Sequence, residues 1–552
     1  MTRNSARPRS WLDPLLAVGL FGGYLGLLLG TVRTLGYARD EGFYFQAASA
    51  YESWFELLWR QPTEALRPGV IDQYFSVNHE HPALIKSLFA FSHHFLYQRW
   101  HWLGEAGTAF RLPGMLLGAL AVSVVFLWGR QTVGRVPGLV GALLFALMPR
   151  VFYHCHLACF DIPVASMWLV TTYAYWRSLS ARGLGWPLAT GVLYGLLLDT
   201  KHNSWLLPGA LLVHLLVTQG VRLGRGLRRG RVAVPAALLA MATLGPVIFY
   251  LGWPWIWHDT GRRLSDYVAF HAGHEYYNME FLGRTYWKAP MPRLYAWVMT
   301  LGTVPGITLV LSGLGLVRAS REAFGRRSPE RAARDTYLLW FLCLGVSYAP
   351  WLSSKTPIFG GTKHWLTAYP FLCLFGALGF AWTRERIAAL FDLRARTGRL
   401  LAEAGLVGAV IAGPAVMTVH SHPWGLSAYT PLVGGASGAA TLGLNRTFWG
   451  YTTGALTDFL NQHVPRGGVV YLHDTAAQSF SMLRQDGRIR SDIGGTLDIH
   501  ASDYALYHHE PHMGRVEHQI WVDYGTTEPA EIGSYDGVPV VWVYARPRPR
   551  PR

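Results

Sequence analysis

The chain has 552 residues, of which 51% are hydrophobic and 15% charged, with 23 Trp, 27 Tyr and 26 Phe. That balance is too apolar and aromatic for an ordinary soluble protein and implies a polytopic membrane protein. The formal net charge of +16 would suit a nucleic-acid partner, but the Arg residues fall in short clusters between apolar runs, as a cytoplasmic membrane face requires, which excludes nucleic acid.

In chain order, Arg3, Arg7 and Arg9 precede Leu15 to Val32, 18 uncharged residues with no small-residue cleavage pattern after them. This is the pattern of a retained helix rather than a signal peptide. Runs of spanning character are expected at 11–33, 109–128, 136–152, 161–177, 186–201, 203–221, 232–252, 293–317, 336–353, 365–383 and 400–419. Eleven spans result, those at 136, 161 and 186 falling below the roughly 20 residues of a perpendicular helix. The basic residues Arg130, Arg135, Arg177 and Arg182, the cluster Arg222, Arg225, Arg228, Arg229 and Arg231, and the loops 318–335 and 384–399 all fall on the side of the N-terminus. That side is therefore cytoplasmic, and the loops 34–108, 253–292 and 354–364 lie outside with everything after 420. Pro82 to Leu96 holds Lys86, His93 and His94, and counting it as a span would invert the basic loops. It reads as an interfacial helix on the outer surface.

The expected fold is an α-helical polytopic membrane protein: a catalytic body over 1–419 with a long first outer loop at 34–108, then a small extracytoplasmic α/β domain over 420–545. Strands are expected at 469–472, 504–507, 519–522 and 538–544, and the Arg-Pro tail 546–552 as disordered. The cysteines Cys155, Cys159, Cys343 and Cys373 lie in or beside apolar segments and read as buried small hydrophobes.

The unusual polar residues gather on the outer side. Asp40 and Glu41 follow the first span, and Asn78-His79-Glu80-His81 with Lys86 comes later in the same loop. His154 and His156 precede Asp161, the fifth span ends in Asp199-Thr200-Lys201-His202-Asn203, and the tenth follows Lys355 to His364. Charge at span ends is expensive unless it snorkels, pairs or lines a wet cavity. Four loops presenting acids, Lys and His at one depth favour a shared cavity. There Lys201, His202, Lys355, Lys363 and His364 would hold a phosphate or diphosphate leaving group, while Asp40 takes a proton from an incoming hydroxyl. A donor with an anionic head and a greasy tail fits, as in a sugar linked to a polyprenyl phosphate.

Asp40-Glu41 resembles the acidic pair of GT-C glycosyltransferases of the protein O-mannosyltransferase type, glycosyltransferase family 39, and His81-Pro82-Ala83-Leu84-Ile85-Lys86 is similar to that family's His-Pro-Pro-Leu-Gly-Lys. Arg111-Leu112-Pro113, Asp161-Ile162-Pro163 and Thr200-Lys201 add to the resemblance, which covers most of 10–420. It implies the GT-C fold and inverting transfer from a polyprenyl-phosphate sugar to an acceptor hydroxyl on a protein or, as in the lipid A aminoarabinose transferases, a glycolipid. By position it makes Asp40 the catalytic base or an acceptor-orienting acid and Glu41 the residue holding the loop. Asp161 would position a substrate and Lys201 lie near the phosphate, with His79, Glu80, His81 and Lys86 positioning acceptor or loop. Ala83 and Ile85 depart from the family's Pro and Gly.

A divalent metal is compatible with this ligand set, with His154 and His156 as candidates, but the mechanism requires no cofactor. A lipid-linked sugar transporter or flippase is the alternative. It should carry charge near span midpoints, whereas here the acids gather on one face. A membrane acyltransferase built on His154 or His156 is a weaker rival.

Overall fold

The computed structural model describes residues 11–227, 234–324, 331–391, 395–473 and 477–547. The basic stretch Met1–Arg9, the Arg side chains between 221 and 233, and the tail residues 548–552 lie outside the described residues.

The protein is largely α-helical, with a small mixed β-sheet near its C-terminus. Four helical stretches are long and apolar enough to cross a bilayer: Leu12–Thr34, Ala106–Thr132, Gly361–Leu390 and Thr397–Ser421. Only 22% of the first and 11% of the last is buried within the protein, so Leu15, Val18, Leu401, Val416 and Val419 face outward as a lipid-facing surface would.

Two of the expected spans are broken. Arg135–Ala146 and Pro149–Cys155 meet at 71°, and Tyr295–Thr303 and Gly306–Phe324 at 119°. Pro149 and Pro305 explain both breaks, since proline has no N–H to donate and disfavours helical backbone in the residue before it. Counting each bent pair as one span gives six; Gly185–Leu198 and Ala236–Gly252 are apolar but shorter.

Asp13, at the start of the first helix, pairs with Arg130 and Arg135 at the far end of Ala106–Thr132, the latter at 2.7 Å. At the opposite end, Arg111 reaches the Val32 and Gly36 carbonyls. The two helices are therefore antiparallel, with the Arg cluster at one end and the candidate site at the other.

The stretch 34–108 is itself folded. Arg39–Arg60 and the expected interfacial helix, seen as Leu84–Ser92 continuing to Arg99, pack on one another and on Ala106–Thr132. Pro113 has no N–H for the Ala109 carbonyl four residues back. Ser92 Oγ donates to that carbonyl instead, at 2.6 Å, pinning the helix Leu84–Ser92 to Ala106–Thr132.

The sheet has strand order Gly494–Thr496, Val469–Leu472, Tyr504–His508, Val538–Ala545, Glu531–Tyr535. The first three strands are parallel and the last two antiparallel to their neighbours. The expected strand 519–522 lies instead within the helix Gly514–Tyr524. Its apolar run is too short to distinguish the two forms, and the helix buries Ile520 and Tyr524 four residues apart while Val522 is exposed.

Residues before the sheet belong to the helical body. Leu426, Tyr429, Leu444, Phe448, Trp449 and Tyr451 join the main hydrophobic core. Trp253 is fully buried against Tyr267. Arg546 is held by Asp523 and by the Ile499 and Ser502 carbonyls rather than starting a free tail.

Candidate active site

Asp40 and Glu41 are adjacent in sequence but occupy different environments. Glu41 is fully buried and meets Arg111, also fully buried, in a two-pronged pair at 2.7 Å on each prong. Its remaining lone pairs accept the Ala38 N–H at 2.8 Å and the Ala158 N–H at 3.0 Å. Every acceptor site of Glu41 is thus engaged in tying the start of the Arg39–Arg60 helix to Ala106–Thr132 and to the segment before Asp161. Glu41 therefore offers no free carboxylate oxygen and holds the turn that carries Asp40.

Asp40 keeps an accessible carboxylate. Lys363 Nζ lies 3.2 Å from Oδ2 and Arg39 Nε 3.9 Å from Oδ1. Burial pushes its pKa up, but the two cations outweigh burial and hold the carboxyl below its usual value. The group is therefore ionised at neutral pH and ready to accept a proton.

Lys363 is aimed by its loop. Gly360 and Gly361 both take left-handed backbone, φ +71° and +67°, which glycine adopts without a Cβ penalty. A Cβ on Gly360 would sit 2.7 Å from the Trp449 ring and from the Lys363 stem. The ammonium lies over the rings of Trp449 and Phe359, at 4.6 and 5.1 Å. His364, expected to hold phosphate, instead hydrogen-bonds the Phe359 backbone and closes this loop.

A second acid–lysine pair stands beside the first. Asp161, in the first turn of Asp161–Ser178 where the helix dipole favours an anion, meets Lys201 Nζ at 2.8 Å. His154 Nδ1 is 3.7 Å from its other oxygen. Asp161 also lies close enough to act electrostatically on Asp40. The two carboxylates and two ammonium groups alternate in sign within electrostatic reach of one another, an arrangement that can bind an anionic head group while leaving a carboxylate for proton transfer.

The other expected residues divide. Lys86 is buried and donates to the Asn78 and His81 carbonyls at 2.6 and 2.9 Å, and burial lowers its pKa to about 7 against the pull of Glu80 and Asp199. It shapes the loop rather than facing the cleft. Glu80 accepts from Asn78 at 2.7 Å, and His79, exposed, hydrogen-bonds the Ser76 carbonyl and packs on Trp255. Lys355 is exposed and forms no ion pair with the site acids among the described residues. His156 contacts the Phe152 carbonyl at 2.8 Å and Thr31 at 2.9 Å through its two nitrogens. Neither it nor His154 belongs to a group of three metal-compatible ligands among the described residues; those groups are His81, His202 and His271, and Glu52, Glu56 and His94.

Three neighbours complete the site. Trp449, whose carbonyl accepts the Arg39 N–H at 2.8 Å, walls the cleft. Tyr44 lies one helical turn from Asp40, its ring 4.4 Å from that of Phe160. Arg111 was visible as a motif, though nothing in it named Glu41 as its partner. The i, i+4 spacing of Asp40 and Tyr44 was an available signal; nothing in residue order placed Trp449, hundreds of residues away, beside Lys363.

Residues 93–250 match the model of the dolichyl-phosphate-mannose-protein mannosyltransferase family. That stretch contains Arg111, His154, Asp161 and Lys201 and begins after Asp40. No curated protein matches the chain. Among solved structures it is similar to ArnT from Cupriavidus metallidurans bound to undecaprenyl phosphate, at 14% identity and TM-score 0.50 over 97% of both chains. The apo form of ArnT gives 15%, a TM-score of 0.49, and 96% of this chain with 98% of that one. The oligosaccharyltransferase AglB from Archaeoglobus fulgidus, in complex with an inhibitory peptide and a dolichol-phosphate, gives 10% and 0.49 over 94% of this chain and 72% of that one. The ArnT likeness supplies the fold, and the matched segment supports the enzyme class, a membrane glycosyltransferase.

Proposed function

We propose that the protein transfers a sugar, with inversion, from a polyprenyl-phosphate donor to an acceptor hydroxyl of a protein, lipid or glycan at the outer face of the cytoplasmic membrane. In this reading the short and bent helices complete about eleven spans, the N-terminus is cytoplasmic and the sheet domain extracytoplasmic. The observation that carries it is the alternation of Asp40, Lys363, Asp161 and Lys201 within electrostatic reach of one another. That ArnT has been crystallised with undecaprenyl phosphate supports the choice of donor.

The acceptor oxygen forms its bond to the anomeric carbon on the face opposite the phosphate, while its proton passes to the Asp40 carboxylate. The bond from that carbon to the phosphate oxygen breaks, and its electron pair leaves with the phosphate. Lys201 and Lys363 offset the charge that develops there. Asp161 holds Lys201 in place, and Glu41 with Arg111 holds the turn that presents Asp40.

Removing a general base costs on the order of 100-fold or more. Asp40→Asn should lose that much transfer from a polyprenyl-phosphate sugar while still binding the donor and keeping its melting temperature. Full transfer by this variant would remove the base assignment, and mass spectrometry of copurifying lipid would name the sugar.

A further inference from the structure

The buried lysine and arginine side chains among the described residues are Lys86, Arg111, Arg150 and Arg263. All but Arg150 are matched: Arg111 pairs with Glu41, Arg263 with Asp72, and the Lys86 ammonium donates to the Asn78 and His81 carbonyls. Arg150 is 1% exposed and forms no ion pair among the described residues; Nη2 reaches the Ala428 carbonyl at 3.4 Å, and Nε has no hydrogen-bond partner. Its guanidinium lies between the rings of Tyr429 and Phe448, each 5.2 Å away. Aromatic faces offset only part of what a cation loses on leaving water, so a buried cation calls for an anion.

The same helix carries a second observation. His154 stands one turn after Arg150 in Pro149–Cys155, on the same face. It too is buried, neither ring nitrogen has a hydrogen-bond partner, and Nδ1 stops 3.7 Å short of Asp161. Phe448 covers Arg150, while the next residue, Trp449, meets the His154 ring edge-on at 5.8 Å and carries the Lys363 ammonium 4.6 Å from its own ring. Arg150 is close enough to act electrostatically on His154. This helix face therefore stands directly behind the acid–lysine cluster.

The charges of that cluster cancel. Asp40 is paired with Lys363 and Asp161 with Lys201, so these four groups offer an entering anion no net positive charge. Arg39, the other cation beside Asp40, is 42% exposed and screened by water. We propose that Arg150 is a positioning residue for the donor: sealed from contact by Phe448, it supplies the positive charge that draws the phosphate of the lipid head group into the site, and that phosphate is its missing counter-charge. This rests on the transfer reading above.

The test measures binding of undecaprenyl phosphate to the full chain in detergent, with undecaprenol as the uncharged control. One unit charge about 10 Å away, at an effective dielectric of about 20, changes an affinity on the order of 10-fold. Arg150→Met should therefore bind undecaprenyl phosphate about 10-fold more weakly than the wild type and bind undecaprenol equally. It should melt at the same or a higher temperature, because an unpaired buried charge opposes folding. Arg150→Lys keeps the charge but not the planar group between the rings, and should retain most of the phosphate affinity. Arg150→Gln repeats the measurement if the methionine variant does not fold. Unchanged phosphate affinity in Arg150→Met would overturn the proposal and leave the donor reading standing. Equal losses in Arg150→Met and Arg150→Lys would also overturn it, by assigning the arginine to ring packing. A wild type that binds the two lipids alike would overturn the donor reading as well.

Discussion

Asp40 and Glu41 show how neighbouring carboxylates diverge when one finds a buried partner. Replacing Glu41 by Gln leaves Arg111 as an uncompensated buried charge, which costs about 3–5 kcal/mol. Glu41→Gln should therefore melt well below the wild type, whereas Asp40→Asn loses activity at an unchanged melting temperature; equal melting of both would refute the division of roles. The pH dependence separates them too. Because the Asp40 pKa is depressed, its active ionised form persists as pH falls and is lost only below the ordinary carboxylate range. The acid limb of kcat/KM should accordingly fall below about pH 3.9, and Lys363→Met, which leaves burial less opposed, should move it upward. An unmoved limb in that variant would show that Lys363 does not set the charge of Asp40.

At the scale of elements, the loop that aims Lys363 depends on left-handed glycine. Ala at position 360 would incur about 1–2 kcal/mol of backbone cost and a 2.7 Å contact with Trp449. Gly360→Ala should reduce transfer while leaving the rest of the fold intact, measured as lower kcat with unchanged far-ultraviolet circular dichroism; wild-type turnover would mean the loop adapts freely. The sequence showed this turn as Gly-Gly before Thr-Lys-His, but it assigned His364 to phosphate, since a histidine's backbone partner five residues away leaves no trace in residue order. The bends at Pro149 and Pro305 are a similar case. Both prolines are plain in the sequence, yet the apolar runs around them, 136–152 and 293–317, each read as a single span.

Across the whole molecule, the sheet domain takes part in setting the candidate site. Ser479 Oγ donates to the Ala38 carbonyl at 2.9 Å, Arg488 to the Leu35 carbonyl at 2.7 Å, and Asp486 accepts from Tyr37 and the Gly107 N–H. The turn carrying Asp40 is thus clamped between the helical body and the C-terminal domain. The proposed orientation is open to a direct test because all four native cysteines are buried. Cysteines introduced at exposed Leu390 and Val522 should react with an impermeant maleimide from opposite sides of the membrane, Val522→Cys from outside. Labelling of both from one side would refute the topology.

The sequence by itself determined the membrane class, the helix ahead of Ala106–Thr132 and three of the sheet's strands. It also gathered the acids and lysines on one face, because hydrophobic periodicity and the cost of charge in lipid are written locally. Tertiary structure alone decided which charge meets which. Glu41 is spent on Arg111, Asp40 on Lys363 and Asp161 on Lys201, while His81, His202 and His271 meet across three segments. Pairings between distant residues depend on how helices pack, and packing is a property of surfaces brought together rather than of order along the chain.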